Sequence, residues 1–203
     1  GEEEITISIV ESLGFIGVDA KSVKLDAGES KKLSILVSAM NQKEGIYSSK
    51  ILLTSGDVEE EVILLIEIEE TQSEIDMLVD VVEEDKIIIN KKNISSELVL
   101  YDLEGKENLN VTLDYYVQDI DGNVLIHESE NRNVGSGSSF VKSLNFENEL
   151  KEGDYIFSVK ATAGEKSVFS GSLFKVSSEK ENLIKVEEKD YSLIIKMGLF
   201  VML

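Results

Sequence analysis

The chain has 203 residues, 42% of them hydrophobic, which is enough to bury a core and excludes wholesale disorder. Its 40 acidic residues against 20 basic ones give a formal charge of −20, which argues against nucleic-acid phosphates and anionic lipid headgroups as partners and favours a solvated acidic surface or surface cations. Cysteine, proline and tryptophan are all absent, so disulfides and thiolate metal sites are excluded as well.

In chain order, short runs of β-branched and aromatic residues bounded by Gly, Asn, Asp and Ser predict strands at residues 5–10, 18–25, 32–39, 46–54 and 58–68. Leu33, Ile35 and Val37 alternate with Ser34, Leu36 and Ser38, the period of a half-buried strand. Ser55-Gly56-Asp57 is a hairpin signal between two such runs. A polar stretch at 69–74 then predicts a short junction. Beyond it, strands are expected at 77–82, 86–90, 97–103, 109–119, 124–130, 139–146, 155–162 and 167–176, with hairpin turns at Asp121-Gly122 and Ala163-Gly164-Glu165. No segment longer than about ten residues carries a capped helical period, so the expected fold is all-β. The expected organisation is one immunoglobulin-like sandwich over 1–70, a second over 75–178, and an acidic linker with an apolar end over 179–203. Residues 191–203 carry one charge, Lys196, and fall short of the roughly 20 apolar residues of a spanning helix. They read as the first half of a truncated membrane anchor or as a terminal strand. Gly1 followed by Glu2, Glu3 and Glu4 is no secretory n-region.

The chain resembles itself at an offset of 108 residues, which carries Gly45 onto Gly153 and Tyr47 onto Tyr155. Ile51 then meets Val159, Thr54 meets Thr162 and Gly56 meets Gly164; upstream, Ser30 meets Ser138 and Leu33 meets Val141. The shared Gly-x-Tyr reads as the tyrosine corner of Greek-key sandwiches, so Gly45, Tyr47, Gly153 and Tyr155 are expected to be structural. The strand at 5–10 is the counterpart of the one around 111–116, an offset of 106 and so two residues short of the 108 that relates the tyrosine corners, and the first domain lacks its opening strands. Such a gap leaves an unpaired edge, which strand addition from a neighbour can fill.

Signals for chemistry are weak. The lone His127 lacks a nucleophile elbow beside it and reads as a strand histidine. Asp119, Asp121 and Asn123 open like a calcium loop, and Glu130 falls where a twelfth ligand belongs, but Gly122 is misplaced and flanking helices are missing, so a hairpin turn is favoured. Acids around the junction (Glu69, Glu70, Glu74, Glu83, Glu84, Asp85) are a second weak cation candidate. Gly164-Glu165-Lys166-Ser167 lacks the earlier glycine of a phosphate loop. Two glycosylation sequons start at Asn93, expected in a loop, and at Asn110. No cofactor is expected.

The pattern Leu25-Asp26-Ala27-Gly28-Glu29-Ser30-x-x-Leu33-x-Ile35-x-Val37, followed by Gly45-x-Tyr47 and Ile51-x-Leu53, resembles tandem Ig-like domains of archaeal and bacterial cell-surface proteins, with CARDB-like and S-layer-associated repeats the nearest kinds. Asn110 to Val117 with Asp121-Gly122-Asn123-Val124, then Leu150 to Tyr155, looks like the same class. The resemblance implies a non-enzymatic, extracellular structural or adhesive module ending in a membrane segment. The alternatives are a filament or surface-layer subunit assembled by strand addition, and a carbohydrate- or protein-binding ectodomain.

Overall fold

The structure, a computed structural model, describes residues 3–10, 13–69, 75–82, 86–89, 92–105, 108–135 and 137–178. Its regular elements are strands: β1 (Glu3–Val10), β2 (Ile16–Val18), β3 (Ser22–Leu25), β4 (Ile35–Val37), β5 (Gly45–Ser55), β6 (Val58–Ile68), β7 (Ile75–Val81), β8 (Ile87–Ile88), β9 (Asn93–Asp102), β10 (Leu109–Asp119), β11 (Val124–Val134), β12 (Ser138–Asn145), β13 (Gly153–Ala163) and β14 (Lys166–Val176). The fold is an all-β sandwich, as the alternation demanded. By compactness the chain divides into unit 1, Gly1–Lys43 with Ser48–Leu64, and unit 2, Glu44–Tyr47 with Leu65–Leu203. The expected junction at 69–74 lies outside the described residues apart from Glu69, and so does the whole of 179–203.

Unit 2 is an Ig-like sandwich. One sheet runs β11-β10-β13-β14-β8 and the other β12-β9-β7, so consecutive strands repeatedly change sheet. Two long hairpins, β10–β11 and β13–β14, are antiparallel throughout, and the short β8 joins β14 in parallel. Between the sheets lies one continuous core, in which Met77, Leu98, Leu100, Val111, Leu113, Tyr115, Phe157 and Val159 are buried. These positions recur at every second residue along β7, β9, β10 and β13, which is why the pattern was legible.

Unit 1 has a four-stranded sheet, β3-β1-β5-β6, and a two-stranded ribbon, β2-β4. Its buried apolar residues are Ile7, Phe15, Ile16, Ile51 and Leu64. The expected strand over 18–25 is two strands in different sheets. The Asp19 carboxylate accepts the Ser34 amide at 3.1 Å, and the Asp19 amide donates to the Ser34 carbonyl at 3.1 Å. That local bonding turns the chain between the two pairings. Of the run 32–39 only Ile35–Val37 is paired, though Leu33, Ile35 and Val37 do share the more buried face.

The repeat is legible in the registers. β5 and β6 lie 108 residues before β13 and β14, bounds included. Ile7 stands opposite Leu53 in β1–β5, and Leu113 stands opposite Ala161 in β10–β13. Hence Ile5, Ile7 and Ile9 take the places of Val111, Leu113 and Tyr115: 5–10 does correspond to the strand around 111–116, but at an offset of 106, two residues short of the 108 that relates β5 to β13. Upstream it slips. Leu33 faces inward, whereas Val141, its partner at this offset, points outward and is 59% exposed. A shift of one residue moves a side chain to the other face of a strand, so β4 and β12 are not related by the uniform offset.

Among the described residues of unit 1 nothing plays the part of β7 or β8, and the three residues of β2 stand beside β4 where unit 2 has the ten of β9 beside β12. The inner face of the larger sheet is correspondingly under-covered. Ile5, Ile9 and Leu53 are half-buried where Val111, Tyr115 and Ala161 are sealed, and Val62 is 42% exposed where Ser170 is buried.

Candidate functional site

The two Gly-x-Tyr corners share one backbone geometry. Gly45 and Gly153 have φ of +149° and +148°, and a Cβ at either would sit 3.9 Å from the ring of the tyrosine two residues on. Glycine supplies that backbone region without strain. In unit 2 the corner closes when the Tyr155 hydroxyl donates to the Lys151 carbonyl at 2.9 Å, with the ring stacked on Phe174. Burial, and then the charge of Asp119, push the Tyr155 pKa up, so the hydroxyl stays a donor across ordinary pH. Tyr155→Phe leaves the Lys151 carbonyl without this donor and is expected to cost about 1 kcal/mol, read as a lowered urea midpoint with an unchanged slope.

Asp119, Asp121 and Asn123 form a turn. One Asp119 carboxylate oxygen accepts the amides of Asp121 (3.0 Å) and Asn123 (2.8 Å), and the other accepts the Asn123 side-chain amide at 2.8 Å. Glu130 is paired with Leu113, well up the hairpin, so it does not return to this loop as a twelfth ligand would. Among the described residues no three acidic or imidazole side chains are placed to hold a metal. Partial desolvation tends to raise the Asp119 pKa, but the hydrogen bonds from the Asn123 side chain and from the backbone of Asn123, Asp121 and Gly122 outweigh it and hold the pKa below the usual carboxylate value. A depressed folded-state pKa contributes stability that is present above the ordinary value and lost as pH falls through the folded one. Asp119→Ala should therefore cost about 1 kcal/mol at pH 7, a difference that shrinks below about pH 4. Parallel denaturation of the two proteins across pH measures it.

Of the junction acids only Glu69 is described, and with Glu67 it has a use that pattern reading missed. Glu67 accepts the Gly171 amide at 2.9 Å and the Ser170 hydroxyl at 3.2 Å; Glu69 accepts the Phe169 amide at 3.0 Å. Within unit 2 these carboxylates cap amides along β14, on which β8 pairs only Lys175 and Val176. The visible signal was two acids spaced by two at the end of an apolar strand. His127 stacks on Tyr116, ring centroids 4.6 Å apart, and its Nε2 lies 3.3 Å from Asp114. Asn93 is the first residue of β9 and not in a loop: it pairs with Asn145. Asn110 lies inside β10 opposite Asn133; both sequon asparagines are exposed.

A second network, also missed, closes the open side of unit 2. The buried Tyr115 hydroxyl donates to Glu130 at 2.9 Å. Lys142 lies 2.9 Å from Glu128, 3.7 Å from Glu130 and over the Tyr115 ring, and Arg132 lies 3.5 Å from Glu130 and over Phe140. Burial and then Glu130 drive the Tyr115 pKa far upward.

No protein-family model and no curated protein matches the chain. Among solved structures it is similar to the CARDB domain, in complex with di-metal ions, of a Pyrococcus furiosus protein: 14% identity and a TM-score of 0.39, over 52% of this chain and 94% of that one. Red sea bream transglutaminase is similar at 12% identity and TM-score 0.39, over 88% of this chain and 27% of that one. Latent PorU from Porphyromonas gingivalis is similar at 11% and 0.36, over 87% and 16%. The fold assignment rests on this chain's own strand order.

Proposed function

We propose that the chain is a non-enzymatic, Ig-like structural or adhesive module of the cell surface, and that unit 1 is completed by a β-strand from outside the described residues. The open inner face of unit 1 carries this reading. At its centre Ser49 takes the place that Phe157 holds in unit 2; it is buried, and its hydroxyl has no partner among the described residues. A buried unpartnered hydroxyl costs about 1–3 kcal/mol, a cost that a donor or acceptor brought by an added strand removes. The edge of β6, which pairs with no further strand among the described residues, gives such a strand somewhere to pair, and its exposed start, Val58-Glu59-Glu60-Glu61-Val62, turns Glu60 to the face where unit 2 has the buried Val168. What supports the non-enzymatic part is the use to which polar groups are put: the Asp119 turn, the Glu67 and Glu69 caps and the Tyr115–Glu130–Lys142 network all tie strands together. Membrane anchorage through 191–203 belongs to the same proposal.

Two measurements test it. Antibody against unit 2 should label intact cells; a signal that appears only after lysis sinks the surface role. Amide exchange at residues 58–62 should slow when the protein is in its assembled form, compared with the dilute chain. Equal exchange in both sinks strand addition and leaves the surface role standing.

A further inference from the structure

The outer face of β12-β9-β7 places apolar side chains where water should favour polar ones. Alternation along β9 sends Ile94, Leu98 and Leu100 into the core and turns Asn93, Ser95, Glu97, Val99 and Tyr101 outward. The register then sets Leu78 directly opposite Val99 on one side of the sheet and Ser139 opposite it on the other. Leu78 is 41% exposed, Tyr101 42%, Leu103 63% and Val141 59%. Beside this apolar area stand carboxylates: Asp76 opposite Tyr101, Asp80 opposite Glu97, and Glu97 again opposite Val141. Asp80 is satisfied within the chain, by Lys86 at 2.7 Å and by the Ser172 hydroxyl at 3.2 Å, while Glu97 is held by the Ser139 hydroxyl at 2.8 Å and meets no cation among the described residues. Facing like charges weaken a strand pair, and the part of these leucine, valine and tyrosine side chains left in water gains nothing from burial. A face with both features is poorly arranged for an isolated sandwich and well arranged for a complement.

We propose that this face is a protein-docking surface whose partner presents an apolar centre ringed by lysine or arginine. The apolar row Leu78–Val99 with Tyr101 and Val141 supplies the desolvated centre, and Asp76 and Glu97 supply the rim, Asp80 being already engaged by Lys86 and Ser172. The rim chooses the partner by charge. A cationic ring is attracted and steered, whereas a second copy of a chain of charge −20 brings the same acids to the contact. The surface lies wholly in unit 2 and owes nothing to the open face of unit 1.

The test uses three peptides of equal length as probes: an amphipathic Leu/Lys sequence, the same sequence with Glu for Lys, and the same with Ser for Leu. Each is titrated into the chain at physiological salt while backbone amide shifts are followed by NMR. The Leu/Lys peptide should move the amides of Leu78, Val99, Tyr101 and Val141, and Leu78→Ser with Val141→Ser should weaken it about tenfold, as loss of a central anchor does. Both substitutions are on the exposed face, and an unchanged thermal transition confirms that the fold is intact. The other two peptides should leave these amides in place. Shifts spread over the acidic surface, equal binding of the Ser/Lys peptide, or binding that survives the double substitution overturn the proposal. So does a concentration-dependent dimer, seen by sedimentation and lost in the double variant, since it assigns the face to a second copy.

Discussion

Leu113→Ala is expected to destabilise unit 2 by about 3–4 kcal/mol, and Ile7→Ala to destabilise unit 1 by only about 1–2 kcal/mol, although the two residues hold equivalent places. Both sit on the strand paired with the first member of a long hairpin, opposite Ala161 and Leu53 respectively. Removing a buried side chain costs its transfer free energy and, in addition, the cavity it leaves. Around Leu113 the neighbours Val111, Tyr115 and Ala161 are sealed between two sheets and cannot collapse into the gap. Around Ile7 the corresponding Ile5, Ile9 and Leu53 are half-buried, so side chains and water can fill what is lost. Urea denaturation followed by amide exchange, which assigns the loss to one unit or the other, measures both. Equal losses show that unit 1 is as well covered as unit 2.

Glu130→Ala has the second largest expected effect, about 2–4 kcal/mol. The carboxylate serves three groups at once: the buried Tyr115 hydroxyl, Arg132 and Lys142. Its removal strands a hydroxyl inside the sandwich and leaves Lys142 with Glu128 alone among its ion-pair partners in the described residues. Leaving a buried donor unpaired costs more than the bond itself contributes, so most of the loss should come from Tyr115. Adding Tyr115→Phe removes the stranded donor. The double variant should recover part of the loss, and the cycle should give a coupling of at least about 1 kcal/mol. Strict additivity would show that the Tyr115–Glu130 bond contributes nothing.

The same network shows where the sequence was hard to read. The run from Val124 was expected to end at Glu130, yet β11 continues to Val134. Its inward positions there carry Glu128, Glu130 and Arg132, because an edge strand on the open side of a sandwich needs polar groups to close it. Period-two hydrophobicity cannot see such a strand. The long hairpins were legible for the opposite reason: β10 and β13 are covered on the core side, so every second residue is apolar, and Asp121-Gly122 and Gly164 mark their turns. The tyrosine corner was legible too, since Gly-x-Tyr needs only a local backbone geometry and one hydroxyl. The break between β2 and β3 was not, because it depends on Asp19 meeting Ser34, fifteen residues away. Nor was the slip between β4 and β12: Leu33 and Val141 are both apolar, and composition does not record which face of a strand a residue occupies. Glu67 read as part of the strand 58–68 and Glu69 as the start of a linker, and only their hydrogen bonds along β14 reveal their use as caps.

Native-state amide hydrogen exchange of the dilute chain tests the difference between the two units most directly. Amides in β1 and β5, around Ile7 and Ile51, should exchange far faster than those in β10 and β13, around Leu113 and Phe157, because the under-covered sheet opens without unfolding the sealed one. Equal protection of the two pairs of strands would mean that unit 1 is already a closed sandwich, with no place for an added strand.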